Sequence, residues 1–356
     1  MPLHWGAAPG WLFDRMVRLC RAVTEIVVAE YGPMELVRRF SDPVWFQSFG
    51  CVLGFDWHSS GVTTTVCGAL KEAVKGREEE LGVYVCGGKG AASRKTPAEI
   101  TVNAERFGLD CDRLVTASRL SAKVDSAALQ DGFQIYHHVF IGTGDGAWSV
   151  VQQGMNTETR WARRYHWLSE GLDDFTSEPH KGIVCDHKGL PLNMVAAEVE
   201  EARQAVVELS ARSPDVTVKE MERLRALGMP EQHPVGLADV GPRYLRKVLA
   251  STYERPPEDF SSLLLKPGVG PKTVRALALI AEVTHGAALS FRDPVTYTFA
   301  VGGKDGYPFP VDRNAYDRSV AFLEKGIREA RLGNRDKLDA LRRLERWSTE
   351  GAGARQ

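Results

Sequence analysis

The sequence of 356 residues contains no apolar run close to the roughly 18 residues that a membrane-spanning helix requires. Its first residues, MPLHWGAAPGWLFDRM, also lack a basic segment followed by an apolar one, which is the pattern of a secretory signal. These absences exclude a membrane-spanning protein on sequence grounds. We therefore expect a cytoplasmic protein with no membrane partner.

Cysteine is scarce, and the six cysteines are widely separated, with no CxxC pair and no histidine at a spacing suited to structural zinc. They are expected to be buried thiols. Net charge is nearly absent as well, because 45 Lys and Arg residues face 46 Asp and Glu residues. This balance excludes a strong overall attraction to nucleic acid, so any such contact must be local.

A chain of this length predicts two domains. Apolar residues at helical spacing predict helices over 11–30 and about 62–80, and over most of the chain after residue 216. The segment FQIYHHVFIGTGDGAWSVVQQGM predicts two strands joined by a glycine turn, and 157–190 is expected to be largely irregular. The predicted fold is α+β and predominantly helical, with a mixed, small-sheet domain over 1–213 and a helical domain over 214–356.

An internal repeat lies in the predicted second domain, where VGPRYLRKVLA at Val240 and VGPKTVRALAL at Val269 share five positions. In the second copy, EDFSSLLL predicts one helix, PGVG a turn, and the segment from Pro271 a second helix with proline in its first position. This is the pattern of a helix-hairpin-helix. The first copy has Asp239 where the second has Gly268, which favours a packing role for the first.

The second copy predicts a contact with DNA. Its two glycines allow backbone N–H groups to approach a phosphate, and the helix N-terminus adds the positive end of a dipole. Such contacts hold the backbone without reading bases. The alternative is a glycine turn between packed helices. The predicted DNA-binding residues are Gly268, Gly270, Lys272 and Thr273.

A glycine-rich, basic segment, GGKGAASRKTP, follows a short predicted strand at 83–86. It is similar to a phosphate-binding loop, but the pattern GxxxxGK[ST] is not met because no glycine precedes Lys95. The sequence therefore disfavours a nucleotide-binding loop of that kind here.

Polar residues of the first domain suggest a second site. Asp56 and His58 lie two positions apart in FDWHSSGVTTT, a spacing that lets both point into one cleft from an extended segment. They indicate an acid–base or metal site. The alternative is a helix-capping loop, in which Ser59 or Ser60 caps the helix that begins near Val62.

Further residues of the same types occur downstream. Each of the pairs His137–His138 and Gln152–Gln153 lies on a predicted strand, so one member must face each side of the sheet. Carboxylates and imidazoles that hold a divalent metal (Mg or Mn), with arginines that neutralise phosphate, are what a phosphodiester hydrolase needs. The predicted catalytic residues are Asp56, His58, Gln152, Gln153, Arg163, Arg164, His166, Glu178 and His180, and the predicted metal ligands among them are Asp56, His58, Glu178 and His180.

Several long strings, among them SDPVWFQSFGCVLGFDWHSSGVTTTVCGALKEA, WSVVQQGMN, GVGPKTVRALALIAE and GGKDGYPFPVDR, resemble the archaeal and bacterial domain-of-unknown-function family 763 over nearly the whole chain. In addition, the stretch from Val216 to Tyr297 resembles the helix-hairpin-helix DNA glycosylase core of the endonuclease III type. That second resemblance implies a catalytic lysine at Lys272, acting through a Schiff base, and an aspartate at Asp293.

Together these patterns predict a protein that processes DNA in repair or recombination. The leading hypothesis is a metal-dependent nuclease whose helix-hairpin-helix holds the DNA backbone. A DNA glycosylase or abasic lyase using Lys272 is the first alternative, and a non-catalytic DNA-binding scaffold is the second.

Overall fold

The computed structural model describes residues 1–3, 8–55, 60–227, 233–298, 313–330 and 332–353. Its helices, in chain order, are α1 Gly10–Tyr31, α2 Pro33–Ser41, α3 Pro43–Leu53, α4 Gly61–Val74, α5 Glu78–Leu81, α6 Thr96–Phe107, α7 Cys111–Lys123, α8 Glu200–Ser210, α9 Pro214–Leu227, α10 Pro242–Glu254, α11 Phe260–Leu265, α12 Pro271–His285, α13 Arg313–Glu329 and α14 Asn334–Gly353. In the described part of the chain, no helix is long and apolar enough to cross a membrane.

Five antiparallel strands form the main sheet, in the order β1, β3, β4, β5, β6. The strands are β1 Val83–Lys89, β2 Leu129–Gln130, β3 Gln134–Thr143, β4 Trp148–Asn156, β5 Trp161–Leu168, β6 Gly182–Val184 and β7 Leu192–Asn193, and β2 pairs with β7 in a separate two-stranded sheet. The predicted hairpin is confirmed as β3 and β4. The fold is α+β and predominantly helical, as predicted.

Two local predictions were wrong, those for 62–80 and for 157–190. The helix expected over 62–80 stops at Val74, because Gly76 adopts a φ of +76°, a backbone conformation that ends a helix. The helix that begins at Cys111 ends at Lys123 and continues as one π-helical turn, Val124–Ala128. The segment expected to be irregular contains β5 and β6. Strand β5 was not recognised because its polar side chains are buried, so it lacks the usual alternation of polar and apolar residues.

The main sheet separates two hydrophobic clusters, as strand alternation requires. On one face, side chains such as Phe140 and Trp167 pack with α6–α12. On the other face, side chains such as Val139 and Val151 pack with α1–α4 and with the returning helices α13 and α14. Five of the six cysteines are buried, as predicted, and none of the six, which all lie within the described residues, forms a disulfide.

The predicted domain boundary at residue 213 lies between α8 and α9. The first of the two clusters contains side chains from both sides of it, including Leu209 and Met221. The division into 1–213 and 214–356 stays a prediction.

Candidate functional site

The hairpin turn, residues 266–270, connects α11 to α12. Asp259 caps α11 in a capping box with Ser262, which fixes the start of the first helix. Gly268 has a φ of +82°, a conformation that favours glycine, and Gly270 is the N-cap of α12 in an extended conformation. A Cβ placed on Gly270 would meet no atom within 4 Å, so the turn is open to an approaching group at this point.

Four backbone N–H groups of the hairpin, at Gly268, Gly270, Lys272 and Thr273, donate to no acceptor within the part of the chain that the structure describes. The intervening Pro271 has no N–H. Unpaired N–H groups at a helix N-terminus carry partial positive charge and bind anions. The side chain of Thr273 is buried, so only its backbone is available to a ligand.

The first copy of the repeat packs against this turn, in line with the packing role inferred for it. The Tyr244 hydroxyl donates to the carbonyl of Gly268, and a Cβ on Gly268 would lie 3.1 Å from the side chain of Val248. On the same helix, Arg243 and Lys247 are exposed and form no ion pair with any described residue. They therefore add positive charge beside the turn.

Asp239 balances part of that charge. The Lys272 ammonium lies 3.0 Å from the backbone oxygen of Asp239 and 3.5 Å from its carboxylate, which also accepts from Arg275. Burial opposes ionisation of Asp239, but the hydrogen bond from Arg275 and the charges of Arg275 and Lys272 outweigh it and lower its pKa. Lys272 itself is half exposed.

Two predicted catalytic residues, Gln152 and His180, meet at a residue that the sequence analysis did not identify, Asp125. Its carboxylate accepts from Gln152, from His180 and, at 2.9 Å, from the Trp167 indole. The π-helical turn after α7 places Asp125 beneath the sheet. We call this group, together with His138 and Ser118, the Asp125 network.

The network continues along β3. The Gln152 side-chain oxygen lies 2.8 Å from His138 Nδ1, and the Ser118 hydroxyl lies 2.8 Å from His138 Nε2. Burial lowers the pKa of His138, so the ring is neutral. Because the amide oxygen can only accept, Nδ1 carries the proton and Nε2 accepts from Ser118. A hydroxyl, a base and an orienting group are thus aligned, but Ser118 is only 2% exposed and no substrate reaches it.

The predicted basic group of β5 is divided between the two faces of the sheet. Arg163 forms buried ion pairs with Asp131, at 2.9 Å, and with Asp293, at 2.8 Å. Burial raises the pKa of Asp131, whose carboxylate also accepts from the Tyr165 hydroxyl at 2.7 Å. Asp293, the residue matched to the glycosylase aspartate, is 3% exposed and also accepts from the N–H of Gly189.

Arg164 points to the other face, where it has no ion pair among the described residues. Its guanidinium donates to Gln47 at 3.1 and 3.2 Å and to His166 Nε2 at 2.8 Å. Burial lowers the pKa of Arg164 to about 9. Burial and the charge of Arg164 lower the pKa of His166 as well, so its ring is neutral and its Nδ1 donates to the oxygen of Phe40. Both arginines are inside the protein, away from solvent.

Gln153 faces away from Gln152, as the alternation predicted. Its side chain accepts from the Thr63 hydroxyl and donates to the backbone oxygen of Ser60 at 2.9 Å. Ser60 directly follows the segment that carries Asp56 and His58, and those two residues lie outside the described residues.

The remaining predicted metal ligands are separate. Glu178 is exposed and pairs with Arg292, whereas His180 binds Asp125. Within the described ranges there is no group of three or more His, Cys, Asp or Glu side chains that could hold a metal ion. The divalent metal stays a prediction.

Comparison with known proteins identifies the family. The family described as a protein of unknown function (DUF763) matches residues 1–311, which include the whole main sheet and the hairpin turn. The chain belongs to the DUF763 family. No curated protein and no solved structure matches it.

The family assignment confirms the whole-length resemblance. Because the DUF763 description assigns no activity, the roles of the residues must come from their geometry. Sequence patterns missed Asp125 and Asp131, since an acid beside Val124 in an apparently continuous helix is typical of a solvent-facing position. The one signal was that their partners, Gln152 on β4 and Arg163 on β5, are polar residues.

Proposed function

We propose that this DUF763 protein processes DNA and holds the DNA backbone with its hairpin turn, without reading the bases. The observation that carries this proposal is the set of four unpaired N–H groups at the turn, together with the side chain of Lys272. A phosphate accepts hydrogen bonds from such N–H groups, and the nearby cations add attraction that every DNA sequence shares.

Asp239 has a defined part in this proposal. It holds the Lys272 ammonium close to the turn, and a bound phosphate competes with its carboxylate for that ammonium. Asp239→Asn is therefore expected to strengthen DNA binding, because it removes a negative charge from the binding face. If the turn only packs the two helices together and does not contact DNA, Asp239→Asn should not raise DNA affinity.

Anisotropy of labelled duplexes with the full chain, over a series of salt concentrations, tests the proposal. We expect affinity to fall steeply with salt, and Lys272→Ala to reduce the slope of log K against log salt by about one. The loss should be similar for unrelated sequences. Lys219→Ala, an exposed lysine of α9 outside the turn, is the matched control. Equal affinity and slope for wild type and Lys272→Ala would reject the proposed contact.

The same lysine also separates the two enzymatic hypotheses. A Schiff base requires a neutral amine, whereas the Lys272 ammonium donates to Asp239, an arrangement that favours a charge contact. We expect no borohydride-trapped adduct with abasic DNA. An adduct that disappears in Lys272→Ala would favour the lyase instead.

We further propose that the processing step is metal-dependent cleavage centred on Asp56 and His58. Support comes from Gln153, which binds the residue that follows this segment. Asp56→Asn should abolish cleavage in Mg or Mn while leaving duplex affinity unchanged, because the hairpin turn is elsewhere in the chain. Cleavage that persists in EDTA, or full activity of Asp56→Asn, would contradict this step. DNA binding with no cleavage under any condition would favour the scaffold.

A further inference from the structure

The backbone oxygens of the hairpin turn and of the first residue of α12 are held by side chains from outside the turn. Three of these oxygens accept such a hydrogen bond, namely Gly268 from Tyr244, Val269 from Lys123 and Pro271 from Gln130. Tyr244 belongs to the first copy of the repeat, whereas Lys123 and Gln130 lie 146 and 141 residues before their acceptors. A distant part of the chain therefore holds the turn.

The two oxygens that are held from that distance belong to peptide groups with an unpaired N–H. The oxygen of Val269 shares its peptide group with the N–H of Gly270, and the oxygen of Pro271 shares its peptide group with the N–H of Lys272. Because a trans peptide group is planar, its C=O and N–H point in opposite directions. A donor that fixes the oxygen therefore also fixes the direction of the N–H.

The third peptide group serves as a comparison. Its oxygen, on Gly268, accepts from Tyr244, and its N–H, on Val269, donates to the oxygen of Lys266 at 3.1 Å. This peptide group has no N–H left for a ligand. Of the three, the two that are held from before residue 213 are thus the ones that can still bind a phosphate.

Lys123 brings a charge to its peptide group. Its side chain is partly buried, and among the described residues the oxygen of Val269 is the one hydrogen-bond partner of its ammonium, with no carboxylate in ion-pair range. Burial lowers the pKa of Lys123. A hydrogen bond from a charged donor is roughly twice as strong as a neutral one, and connected hydrogen bonds polarise one another. The ammonium on this oxygen therefore makes the N–H of Gly270 a stronger donor.

Gln130 holds its peptide group without a charge. Its amide NH₂ donates to the oxygens of Ala127, at 3.0 Å, and Pro271, at 2.8 Å, so both hydrogens are used. It can orient the N–H of Lys272 but has no donor left for a phosphate. The π-helical turn after α7 lies between Lys123 and Gln130, so both side chains extend from a segment that the Asp125 network fixes to the sheet.

We propose that Lys123 and Gln130 are positioning residues of the phosphate contact, which they serve through the backbone of the turn. Lys123 orients and polarises the N–H of Gly270, and Gln130 orients the N–H of Lys272. Neither side chain touches the phosphate itself. This inference rests on the proposed function, and it makes the DNA contact a joint product of segments on both sides of residue 213.

Anisotropy of labelled duplexes with the full chain tests the role of Lys123. Lys123→Met removes the ammonium and should weaken binding about five- to tenfold. The slope of log K against log salt should stay within about 0.3 of the wild-type slope, whereas Lys272→Ala lowers it by about one. Lys123→Arg keeps the charge and the donors, so it should recover most of the affinity. Lys219→Met, on the exposed face of α9, is the matched control and should bind like wild type.

The same measurement tests Gln130. Gln130→Ala removes a neutral hydrogen bond and should weaken binding by a smaller factor, about two- to fivefold, with an unchanged salt slope. Wild-type affinity of Gln130→Ala, with the fold verified by circular dichroism, would remove this residue from the proposal.

A pH titration of the carbonyl ¹³C shift of Val269 tests the contact of Lys123 without DNA. Loss of the proton from the bound ammonium should move this signal in a step below 10.5, the ordinary pKa of lysine, because burial lowers the pKa of Lys123. The step should be present in wild type and in Lys272→Ala. It should be absent from Lys123→Met, and also from Lys123→Arg, because a guanidinium keeps its proton.

The other charged side chains at or beside the turn remain in Lys123→Met, so a step that they cause would persist in that variant. They are Asp239, Arg243, Lys247, Lys266, Lys272 and Arg275. A lysine that only packs against the turn would not move the carbonyl signal of Val269.

Two results would overturn the role of Lys123. One is wild-type affinity in folded Lys123→Met, and the other is a salt slope that falls by about one, which would make Lys123 a direct phosphate contact. If Lys123→Met does not fold, Lys123→Arg decides, and a titration step of unchanged size in that variant contradicts the role. Failure of the proposed function differs, because the wild type would then show no salt-dependent affinity or Lys272→Ala would bind like wild type.

Discussion

Asp125 shows how much a single buried side chain can organise. It accepts hydrogen bonds from three donors that belong to β4, β5 and the segment before β6, and it is itself fully buried. A buried carboxylate is tolerated only where such donors satisfy it. The network therefore pins the π-helical turn after α7 to the underside of the sheet.

Asp125→Asn is expected to lower the free energy of unfolding by about 1–3 kcal/mol. Its three partners are all donors, so the amide NH₂ of asparagine must face at least one of them. Urea unfolding followed by far-UV circular dichroism measures the loss. The exposed Asp173→Asn is the control and should unfold like wild type. An unchanged midpoint for Asp125→Asn would show that the three hydrogen bonds contribute no net stability.

Buried His137, whose ring nitrogens have no hydrogen-bond partner within the described residues, predicts a pH dependence of stability. Its pKa is about 3 in the folded chain, against 6.5 for an ordinary histidine, so the unfolded state binds the extra proton between these values. The contribution is complete above pH 6.5 and is lost as pH falls toward 3. Between pH 7 and pH 5 we expect a loss of about 2 kcal/mol from this residue.

Urea midpoints at pH 7 and pH 5, for wild type and for His137→Phe, measure that contribution. The variant cannot take up the proton and should lose less stability than wild type over this interval. Identical losses in the two proteins would mean that His137 is protonated as easily in the folded chain as in the unfolded one.

At the scale of residues, the sequence predicted the facing of side chains but not their partners. Alternation correctly placed Gln152 and Gln153 on opposite faces of β4. Asp125 is 27 residues away from Gln152 in the chain, and a local pattern carries no information about such contacts. The four predicted metal ligands were joined by residue type alone, and Glu178 and His180 bind different partners.

At the scale of elements, the two glycines of the hairpin turn have different roles: one adopts a backbone conformation that favours glycine, and the other leaves room for a ligand. Gly268 adopts a φ of +82°, whereas Gly270 is extended and open. Gly268→Ala is expected to cost about 1–2 kcal/mol of stability, because an L-residue is strained there. Gly270→Ala should change stability by less than about 0.5 kcal/mol.

The two substitutions should also differ in their effects on DNA binding, because only Gly270 lies at the open part of the turn. Gly270→Ala should weaken DNA binding with its fold intact, because the added methyl group keeps a phosphate away from the N–H groups. Thermal unfolding and anisotropy on the same two variants test this. Full DNA affinity in a stable Gly270→Ala would indicate that the phosphate does not approach the turn at this residue.

Helices and the β3–β4 hairpin were predictable because their local signals agree: apolar spacing, N-terminal prolines and a glycine turn. Strand β5 was not, since WARRYHWL carries charged side chains that normally lie in solvent. Its Arg163 and Arg164 are buried because Asp131, Asp293 and Gln47, all distant in sequence, supply their partners. Strand β5 is therefore stabilised by tertiary contacts, which a local sequence pattern does not show.

At the scale of the molecule, polar contacts as well as the first hydrophobic cluster cross the predicted boundary at residue 213. Lys123 donates to the oxygen of Val269 in the hairpin turn, and Gln130 donates to Pro271 at 2.8 Å. The Thr252 hydroxyl donates to Ser210 at 2.6 Å. The hairpin turn is thus fixed to the elements that carry the Asp125 network.

This continuity predicts a single cooperative unfolding transition for the full chain. Leu277→Ala, in the buried face of α12, should cost about 2–5 kcal/mol, and Asp125→Asn lies on the other side of the boundary. If the cluster unfolds as one unit, scanning calorimetry shows one endotherm, and either substitution lowers its midpoint. If the segments on the two sides of residue 213 unfold independently, two endotherms appear, and each substitution moves only one of them. A shared midpoint means that a phosphate bound at the turn stabilises the sheet as well, because ligand binding to the native state raises the stability of the whole cooperative unit.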